Sequence, residues 1–250
     1  MRKVISTIVI IICVAVIAFA SYQIISYYLE ASRAEKAFEA LRPPAPSTEA
    51  DDPWLEVLPH LQDLKAQNSD FIGWLNMPNT ELDYPVMQSI GDPERYLHKD
   101  FNQEYSSAGT LFASEISDVT KPSDVVLIYG HNMKSGAMFA KLKDLLDQEF
   151  LDTHNEIVFD TLSNRNIYKI ACVFRTEVNI GEGEFKYYNY RDFADDGEFN
   201  MFMSLVKSRS VTWTDVQPVY GDKILLLSTC EDAYENGRIV VMAVRTSPPR

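Results

Sequence analysis

Cys230 and Arg238 have the residue types and the spacing of a nucleophile held beside a cation. The apolar run Leu225-Leu-Leu-Ser-Thr-Cys230 predicts a buried strand with a thiol at its C-terminal tip. Residues 238–244 predict the next strand, so a short loop would bring the two side chains face to face. Neighbouring strands lie about 4.7–4.9 Å apart, which puts the guanidinium within reach of whatever the thiol attacks. A nearby cation also favours the thiolate, which is the nucleophilic form of cysteine.

His131 is the candidate acid or base for such a thiol. It follows the apolar run 125–130, whose terminal glycine allows another backbone to approach closely. A histidine at the end of a strand is more often structural, but a free cysteine at the end of another strand makes it a candidate catalytic partner. His60 and His154 are expected at the surface, and the role of His98 stays open. The Cys and His residues do not cluster at the spacing of metal ligands, so we expect neither a metal nor a cofactor.

The composition argues against two other classes of protein. The net charge is −13, whereas a protein that binds nucleic acid usually carries a basic patch, so no nucleic-acid partner is expected. The three cysteines do not suggest a disulfide scaffold. Cys13 lies in an apolar N-terminal run, and Cys172 lies in a strand-like stretch where it is expected to be a small buried hydrophobe. Cys230 is therefore expected to be a free thiol.

The N-terminal segment of the chain is typical of a membrane span. Arg2 and Lys3 precede an apolar run over residues 4–20. That run exceeds the roughly 7–15 apolar residues of a signal peptide and approaches the about 20 that span a bilayer. We expect an uncleaved transmembrane signal-anchor over residues 1–30, with a signal peptide cleaved near residues 18–21 as the alternative. The two basic residues predict a single-pass protein of the cell membrane with a cytoplasmic N-terminus and an extracytoplasmic remainder.

The rest of the chain divides into a stalk and one folded domain. Residues 42–53 are rich in proline and acidic side chains, so residues 31–53 are interpreted as an extracytoplasmic stalk. Residues 54–247 form the predicted domain, which is long enough for one sizeable core.

Many short strands with few helices predict a mainly β fold, a closed or nearly closed barrel. Leucines at every third position from Leu55 to Leu64 predict an amphipathic helix over residues 54–67. Two more helices are predicted over residues 138–146 and 196–208. The strands are predicted at residues 71–75, 84–87, 109–113, 124–129, 156–159, 167–174, 223–229 and 238–244.

Three segments resemble the active-site segments of sortases: Ile128-Tyr-Gly-His131, Leu227-Ser-Thr-Cys230 and Arg238-Ile-Val-Val. The wider match covers nearly all of residues 54–245 and is similar to class B, through Asp70-Phe-Ile-Gly-Trp-Leu, Leu82-Asp-Tyr-Pro-Val-Met, Tyr96-Leu-His-Lys-Asp-Phe, Ser107-Ala-Gly-Thr-Leu-Phe and Gly136-Ala-Met-Phe. The resemblance implies a closed eight-stranded sortase-type β-barrel with an N-terminal helix and an additional helix before the last two strands. Class A sortases carry a calcium site, and this sequence has no acidic loop that we would assign to one.

The resemblance also implies a membrane-anchored cysteine transpeptidase on Gram-positive cells, with His131, Cys230 and Arg238 as the catalytic set. Cys230 would attack the carbonyl after threonine in the C-terminal sorting motif of a secreted protein and form a thioacyl-enzyme. An amine of a peptidoglycan precursor or of a pilin would then take the acyl group. His131 would move the protons, and Arg238 would stabilise the oxyanion.

A peptide groove lined by Leu97, Tyr129 and Tyr188 follows from the same resemblance, although these side chains would equally fit a core. Ser228 and Thr229 either pack within their strand or contact the substrate. Glu231 either orients the neighbouring arginine or is solvated.

Two other classes of function fit the same residues. A membrane-tethered cysteine peptidase would hydrolyse the thioester, so only the fate of the acyl-enzyme separates it from a transpeptidase. A non-catalytic surface binding domain would hold Cys230 as a structural thiol, and rapid alkylation would count against it because buried structural thiols are inert.

Overall fold

The computed structural model of the chain describes residues 2–46, 52–179, 181, 184–231 and 236–247. Within them the α-helices are α1 (Arg2–Leu41), α2 (Pro53–Gln67), α3 (Gln148–Thr153) and α4 (Asp196–Lys207). The strands are β1 (Phe71–Asn76), β2 (Asp83–Met87), β3 (Leu111–Ala113), β4 (Val125–Tyr129), β5 (Glu156–Thr161), β6 (Arg165–Glu177), β7 (Ser210–Trp213), β8 (Ile224–Cys230) and β9 (Gly237–Arg245). The 3₁₀ segments are Arg95–Leu97, Phe139–Leu146 and Tyr187–Asn189.

Eight of these strands close into a barrel. Around it the order is β5-β1-β2-β3-β4-β8-β9-β6, and β6 returns to β5 to complete the circle. The pairs β2–β3 and β4–β8 are parallel, whereas the other pairs are antiparallel. β7 pairs with the part of β6 that extends beyond β5 and stays outside the circle. The predicted eight-stranded barrel is confirmed, and α4 precedes the last two strands with the unpredicted β7 between them.

β8 is buried on both faces, which explains why its sequence is a continuous apolar run. Leu225 and Leu227 belong to the cluster of side chains inside the barrel. Ile224 and Leu226 belong to a second cluster, to which α4 contributes Phe199, Phe202, Met203 and Val206. A strand with apolar neighbours on both faces loses the usual alternation of apolar and polar residues. The strand that ends at Cys230 is therefore held by packing from two sides.

α2 forms where the leucine pattern predicts it, but it buries a different face. Asp52 caps its N-terminus by accepting a hydrogen bond from the backbone N–H of Trp54, and a proline occupies the first turn. Its buried residues are Trp54, Val57, Leu61 and Leu64, whereas Leu55 is exposed. These four follow the mixed spacing of three and four residues that keeps side chains on one face of a helix.

Residues 31–41 of the predicted stalk are helical, and this part of α1 packs on the barrel. α1 continues to Leu41, and Phe38 lies in the core cluster of the barrel. Arg42 forms an ion pair with Asp83 of β2 at 2.6 Å. Residues 34–42 therefore contact the domain, because a row of apolar side chains on one face of α1 covers part of the core. The predicted stalk also includes residues 47–51, which lie outside the described residues.

The N-terminal part of α1 is apolar and unburied. By length and composition it can cross a membrane: an 18-residue window has a mean hydropathy of 2.7, and none of that window is buried. It is the one helix among the described residues with these properties.

Candidate active site

Cys230 and Arg238 occupy facing positions at the end of the β8–β9 hairpin, as the sequence predicts. Their Cα atoms are register partners, and the pairing continues back along both strands to Ile224 and Val244. The backbone N–H of Glu231 donates to the carbonyl of Gly237 at 2.9 Å and closes the last rung beyond the pair. Cys230 is exposed. The thiol is therefore accessible and sits on a rigid hairpin opposite a guanidinium.

His131 reaches the same end of the sheet because β4 and β8 run parallel. Tyr129 is the register partner of Ser228, and the next residue, Gly130, donates its N–H to the Ser228 carbonyl at 3.2 Å. The Thr229 hydroxyl donates to the Gly130 carbonyl at 2.7 Å. These bonds extend the register beyond β4 and bring His131 level with the end of β8.

Gly130 is required at this point because the barrel leaves no room for a side chain. A Cβ at Gly130 would lie 2.4 Å from Leu111 Cδ2 and 2.7 Å from Phe139 Cδ2. Both neighbours are fully buried. The close approach that the sequence predicted for this glycine is therefore an approach of side chains from β3 and from the 3₁₀ segment.

The imidazole of His131 is oriented by a backbone carbonyl that the sequence did not predict. Its Nε2 lies 2.8 Å from the carbonyl oxygen of Leu97. A carbonyl can only accept, so Nε2 carries a proton and Nδ1 is the nitrogen that remains to exchange one. His98, whose role was open, stacks on His131 with ring centroids 5.6 Å apart, and Tyr105 stacks on His98 in turn. No sequence signal pointed to the Leu97 carbonyl, since it is a backbone group on a distant segment of the chain.

A cleft of about 620 Å³ contains the three candidate catalytic residues. Asn132 ties residues 130–138, the histidine loop, to β8, because its side-chain amide donates to the Cys230 carbonyl at 3.1 Å. The residues that line the cleft include His131, Cys230 and Arg238 together with Leu97, Tyr129, Tyr188, Ser228 and Thr229. The structure thus places eight of the nine candidate site residues around one cavity.

Tyrosines form one wall of the cleft and are neutral at physiological pH. Burial raises the pKa of Tyr129, and burial also raises the pKa of Tyr187. The Tyr188 hydroxyl donates to Glu184 at 2.6 Å, and this hydrogen bond raises the pKa of Tyr188 to about 12. The wall therefore offers aromatic surface with uncharged hydroxyl groups, which suits an extended peptide.

Two hydroxyl groups beside Cys230 form hydrogen bonds within the protein. The Ser228 hydroxyl is hydrogen-bonded to the Tyr187 hydroxyl at 2.8 Å, and the Thr229 hydroxyl bonds Gly130 as described above. Both residues are buried although they border the cleft. Their side chains thus fix neighbouring elements of the site, which is the strand-packing alternative of the sequence analysis.

Glu231 takes neither of the two roles considered for it. Its carboxylate forms an ion pair with Arg175 of β6 at 2.8 Å and is largely buried. Arg238 Nη1 instead donates to the carbonyl of the preceding Gly237 at 2.9 Å. Glu231 also lies outside the residues that line the cleft. The expectation that Glu231 contacts Arg238 or solvent is wrong. Arg175 binds this carboxylate instead, because β6 and β9 are neighbours.

Comparison with known proteins shows the family of the chain. The family model of the sortase domain matches residues 75–246. The chain belongs to the sortase family. Sortase B of Listeria monocytogenes is 36% identical over 189 residues, which cover 74% of each chain, and sortase B of Staphylococcus aureus is 30% identical over 239 residues, which cover 95% of each. A solved Staphylococcus aureus sortase B–substrate complex superposes with a TM-score of 0.68 at 31% identity, covering 76% of this chain and 85% of that one.

These relatives and the shared barrel show that the chain is a class B sortase, a cysteine transpeptidase.

The cysteine thiols of the chain differ in their surroundings. Cys172 is fully buried in β6, and burial raises its pKa to about 12, so it stays protonated and unreactive at neutral pH. Cys13 lies in the apolar part of α1, and Cys230 is the cysteine that borders the cleft. In the described residues, no group of three or more His, Cys, Asp or Glu side chains has the geometry of a metal site.

Proposed function

We propose that this sortase cleaves a C-terminal sorting signal after threonine and transfers the acyl group to an amine, with His131, Cys230 and Arg238 as its catalytic residues. The proposal rests on one observation, which is that these three residues lie around the same cleft. Cys230 and Arg238 are facing residues of one hairpin, and Asn132 bonds the histidine loop to the Cys230 carbonyl. His131, Cys230 and Arg238 all border a cleft with an aromatic wall.

In the first step, the Cys230 sulfur attacks the carbonyl carbon after threonine. The developing oxyanion lies on the Arg238 side of the hairpin, where the guanidinium donates hydrogen bonds to it. His131 takes the proton of the Cys230 thiol and transfers it to the departing amine as the carbon–nitrogen bond breaks, which leaves a thioester on Cys230. Covalent catalysis replaces one difficult exchange of amides by two easier steps.

In the second step, an amine attacks the thioester and His131 takes its proton. The new amide forms as the carbon–sulfur bond breaks, and the sulfur is released as the thiolate or thiol. The acceptor that we propose is an amine of a peptidoglycan precursor or of a pilin. Leu97, Tyr129 and Tyr188 would hold the sorting peptide, because they line the cleft beside the reacting groups. Binding of a substrate by the Staphylococcus aureus relative supports this assignment.

We further propose that residues 1–30 anchor the protein in the membrane of a Gram-positive cell, with residues 54–247 as the extracytoplasmic catalytic domain. Support comes from the exposed apolar surface of α1 and from the basic residues at its start. A membrane-impermeant thiol reagent applied to intact cells tests the orientation. Labelling of Cys230 is expected, and labelling only after lysis would overturn the proposed topology.

A peptide library tests the function. The full chain in detergent micelles is incubated with C-terminal peptides, and mass spectrometry detects the thioacyl adduct on Cys230. Added triglycine is expected to turn hydrolysed product into ligated product, whereas hydrolysis at an unchanged rate with triglycine present would assign a peptidase. Cys230→Ala should form no adduct, and His131→Ala should lose turnover while keeping its Tm. Cys172→Ala is the matched control and should retain most activity, so a fully active Cys230→Ala would refute the proposed nucleophile.

A further inference from the structure

The last turns of α1 pack on the barrel close to the histidine loop, residues 130–138. Tyr27, Ala34, Phe38 and Leu41 contact the core cluster of the barrel, at the spacing of one helix face. Glu30 accepts a hydrogen bond from the backbone N–H of Ser107 at 3.0 Å. This face of α1 therefore has both apolar and polar contacts with the domain.

Two polar side chains link α1 directly to the far end of the histidine loop. The Tyr84 hydroxyl donates to Glu35 Oε2 at 3.0 Å. The backbone N–H of Met138 donates to the same hydroxyl at 3.3 Å. The Phe38 ring meets the Tyr84 ring edge-on, with centroids 5.5 Å apart. Tyr84 is almost completely buried, so its hydroxyl has these protein groups rather than bulk water to bond.

Met138 needs such a partner because its backbone conformation is unusual. Its φ is +57° and its ψ is −128°, a region that residues with a side chain rarely adopt. Met138 pairs with Asn132 in an isolated antiparallel bridge, and the next N–H, of Phe139, donates to the His131 carbonyl at 2.9 Å. The backbone at Met138 thus helps to fix the positions of His131 and Asn132 at the start of the loop.

The histidine loop is consequently held from two sides. On one side, Asn132 bonds the carbonyl of Cys230 at 3.1 Å. On the other side, Met138 bonds Tyr84, which bonds Glu35 of α1. The distance between imidazole and thiol depends on both attachments, because each of them ties one end of the loop to a different element.

We propose that Glu35 and Tyr84 are positioning residues through which the C-terminal end of α1 holds His131 in register with Cys230. The inference rests on the proposed function of His131, and it adds that α1 takes part in catalysis as well as in anchoring. Neither residue touches the substrate. Tyr84→Phe would keep the ring packing but would remove both hydrogen bonds, whereas Glu35→Gln would keep an oxygen that accepts from Tyr84.

The test uses the full chain in detergent micelles, with the library peptide that acylates Cys230 fastest and with triglycine as the amine. Tyr84→Phe and Glu35→Ala are expected to lower kcat by about 5- to 30-fold with KM little changed, because a small displacement of a catalytic group is costly while the peptide wall is intact. Glu35→Gln is expected to keep most of the wild-type kcat. Glu39→Ala is the matched control, since Glu39 lies on the exposed face of the same helix.

Two further measurements separate positioning from folding. Rates are divided by the number of molecules in which iodoacetamide modifies Cys230 but spares the buried Cys172, because a misfolded chain would expose both thiols. Hydrogen–deuterium exchange of the peptide covering residues 131–138 is expected to become faster in Tyr84→Phe and in Glu35→Ala but not in Glu39→Ala. If Tyr84→Phe does not fold, Glu35→Ala alone decides, because Glu35 is only partly buried.

The outcomes distinguish this inference from the proposed function. An unchanged kcat per modifiable thiol in both Tyr84→Phe and Glu35→Ala would overturn the positioning role while His131→Ala is inactive. A fully active His131→Ala would overturn the proposed function itself. Equal loss of kcat in Glu35→Ala and Glu39→Ala would show a general effect of charge on α1 and would likewise overturn the inference.

Discussion

Replacement of Gly130 by alanine is expected to damage stability and activity together. The added Cβ would lie 2.4 Å from Leu111 Cδ2 and 2.7 Å from Phe139 Cδ2, whereas ordinary contacts begin near 3.4 Å. Both neighbours are fully buried, so neither can move without disturbing the core. Overpacking of this kind costs about 1–3 kcal/mol. For a domain of this size the corresponding fall in Tm is about 2–12 °C.

The loss of activity is expected to exceed the loss of folded protein. Gly130 bonds Ser228 and Thr229 of β8 and immediately precedes His131, so the backbone shift that relieves the clash also moves the imidazole away from Cys230. A displacement of about 1 Å can cost on the order of 10²-fold in rate. Scanning calorimetry and kcat per folded molecule measure the two effects. Gly197→Ala in α4 is the control, because its Cβ would meet only Asp195 Oδ1, at 3.1 Å. Wild-type Tm and kcat in Gly130→Ala would refute the argument that the barrel fixes this residue.

Three other expectations follow from single residues. Arg238→Lys is expected to lower kcat/KM by about 10²-fold or more although the charge is kept, because an ammonium lacks the rigid fork of donors; a rate near that of wild type would exclude the oxyanion role. At about pH 8 only about one Cys172 thiol in 10⁴ is ionised if its pKa is about 12, so iodoacetamide should modify Cys230 and spare Cys172, and mass mapping that finds both labelled would contradict the burial of β6. Asp160→Asn is expected to change Tm more favourably at about pH 7.5 than at about pH 4.5. Burial raises the pKa of Asp160 to about 6 although Arg165 lies 3.1 Å away, so the stability that the protonated form provides is lost as the pH rises through that value. The same change in Tm at both pH values would show that this carboxyl does not titrate as expected.

The sequence predicted the elements whose apolar patterns depend only on local geometry. β8 and β9 were predicted to within a residue or two, and with them the facing of Cys230 and Arg238, because a hairpin pairs residues that are close in sequence. The buried face of α2 was not predicted by the leucines at every third position. An α-helix has about 3.6 residues per turn, so a row at every third position falls short of a full turn at each step and drifts off the buried face. Trp54 and Val57 are not part of the leucine row, and they are buried on the face of α2 from which Leu55 points away.

The contacts that complete the site could not be predicted, because they join backbone groups across loops. The Leu97 carbonyl that orients His131 has no side-chain signature, and the Asn132 amide on Cys230 spans 98 residues. The partner of Glu231 was missed for a related reason. Its ion pair with Arg175 depends on β6 lying beside β9, which is a property of the whole barrel. The sequence motifs predicted the candidate catalytic side chains, but the groups that hold these side chains in place depend on the topology of the barrel.

The parallel pairing of β4 with β8 explains how residues far apart in the sequence come to one cleft. Parallel strands end at the same edge of a sheet, so the histidine that follows β4 and the cysteine that ends β8 must emerge together once Tyr129 and Ser228 are in register. A slip by one residue would turn every side chain of β8 to the opposite face and would move Leu225 and Leu227 out of the barrel. The packing of the core on both sides of β8 opposes that slip. The hydrophobic interior of the barrel therefore fixes the geometry of the proposed catalytic residues, and the bonds of Gly130 and Asn132 to β8 secure it at the rim.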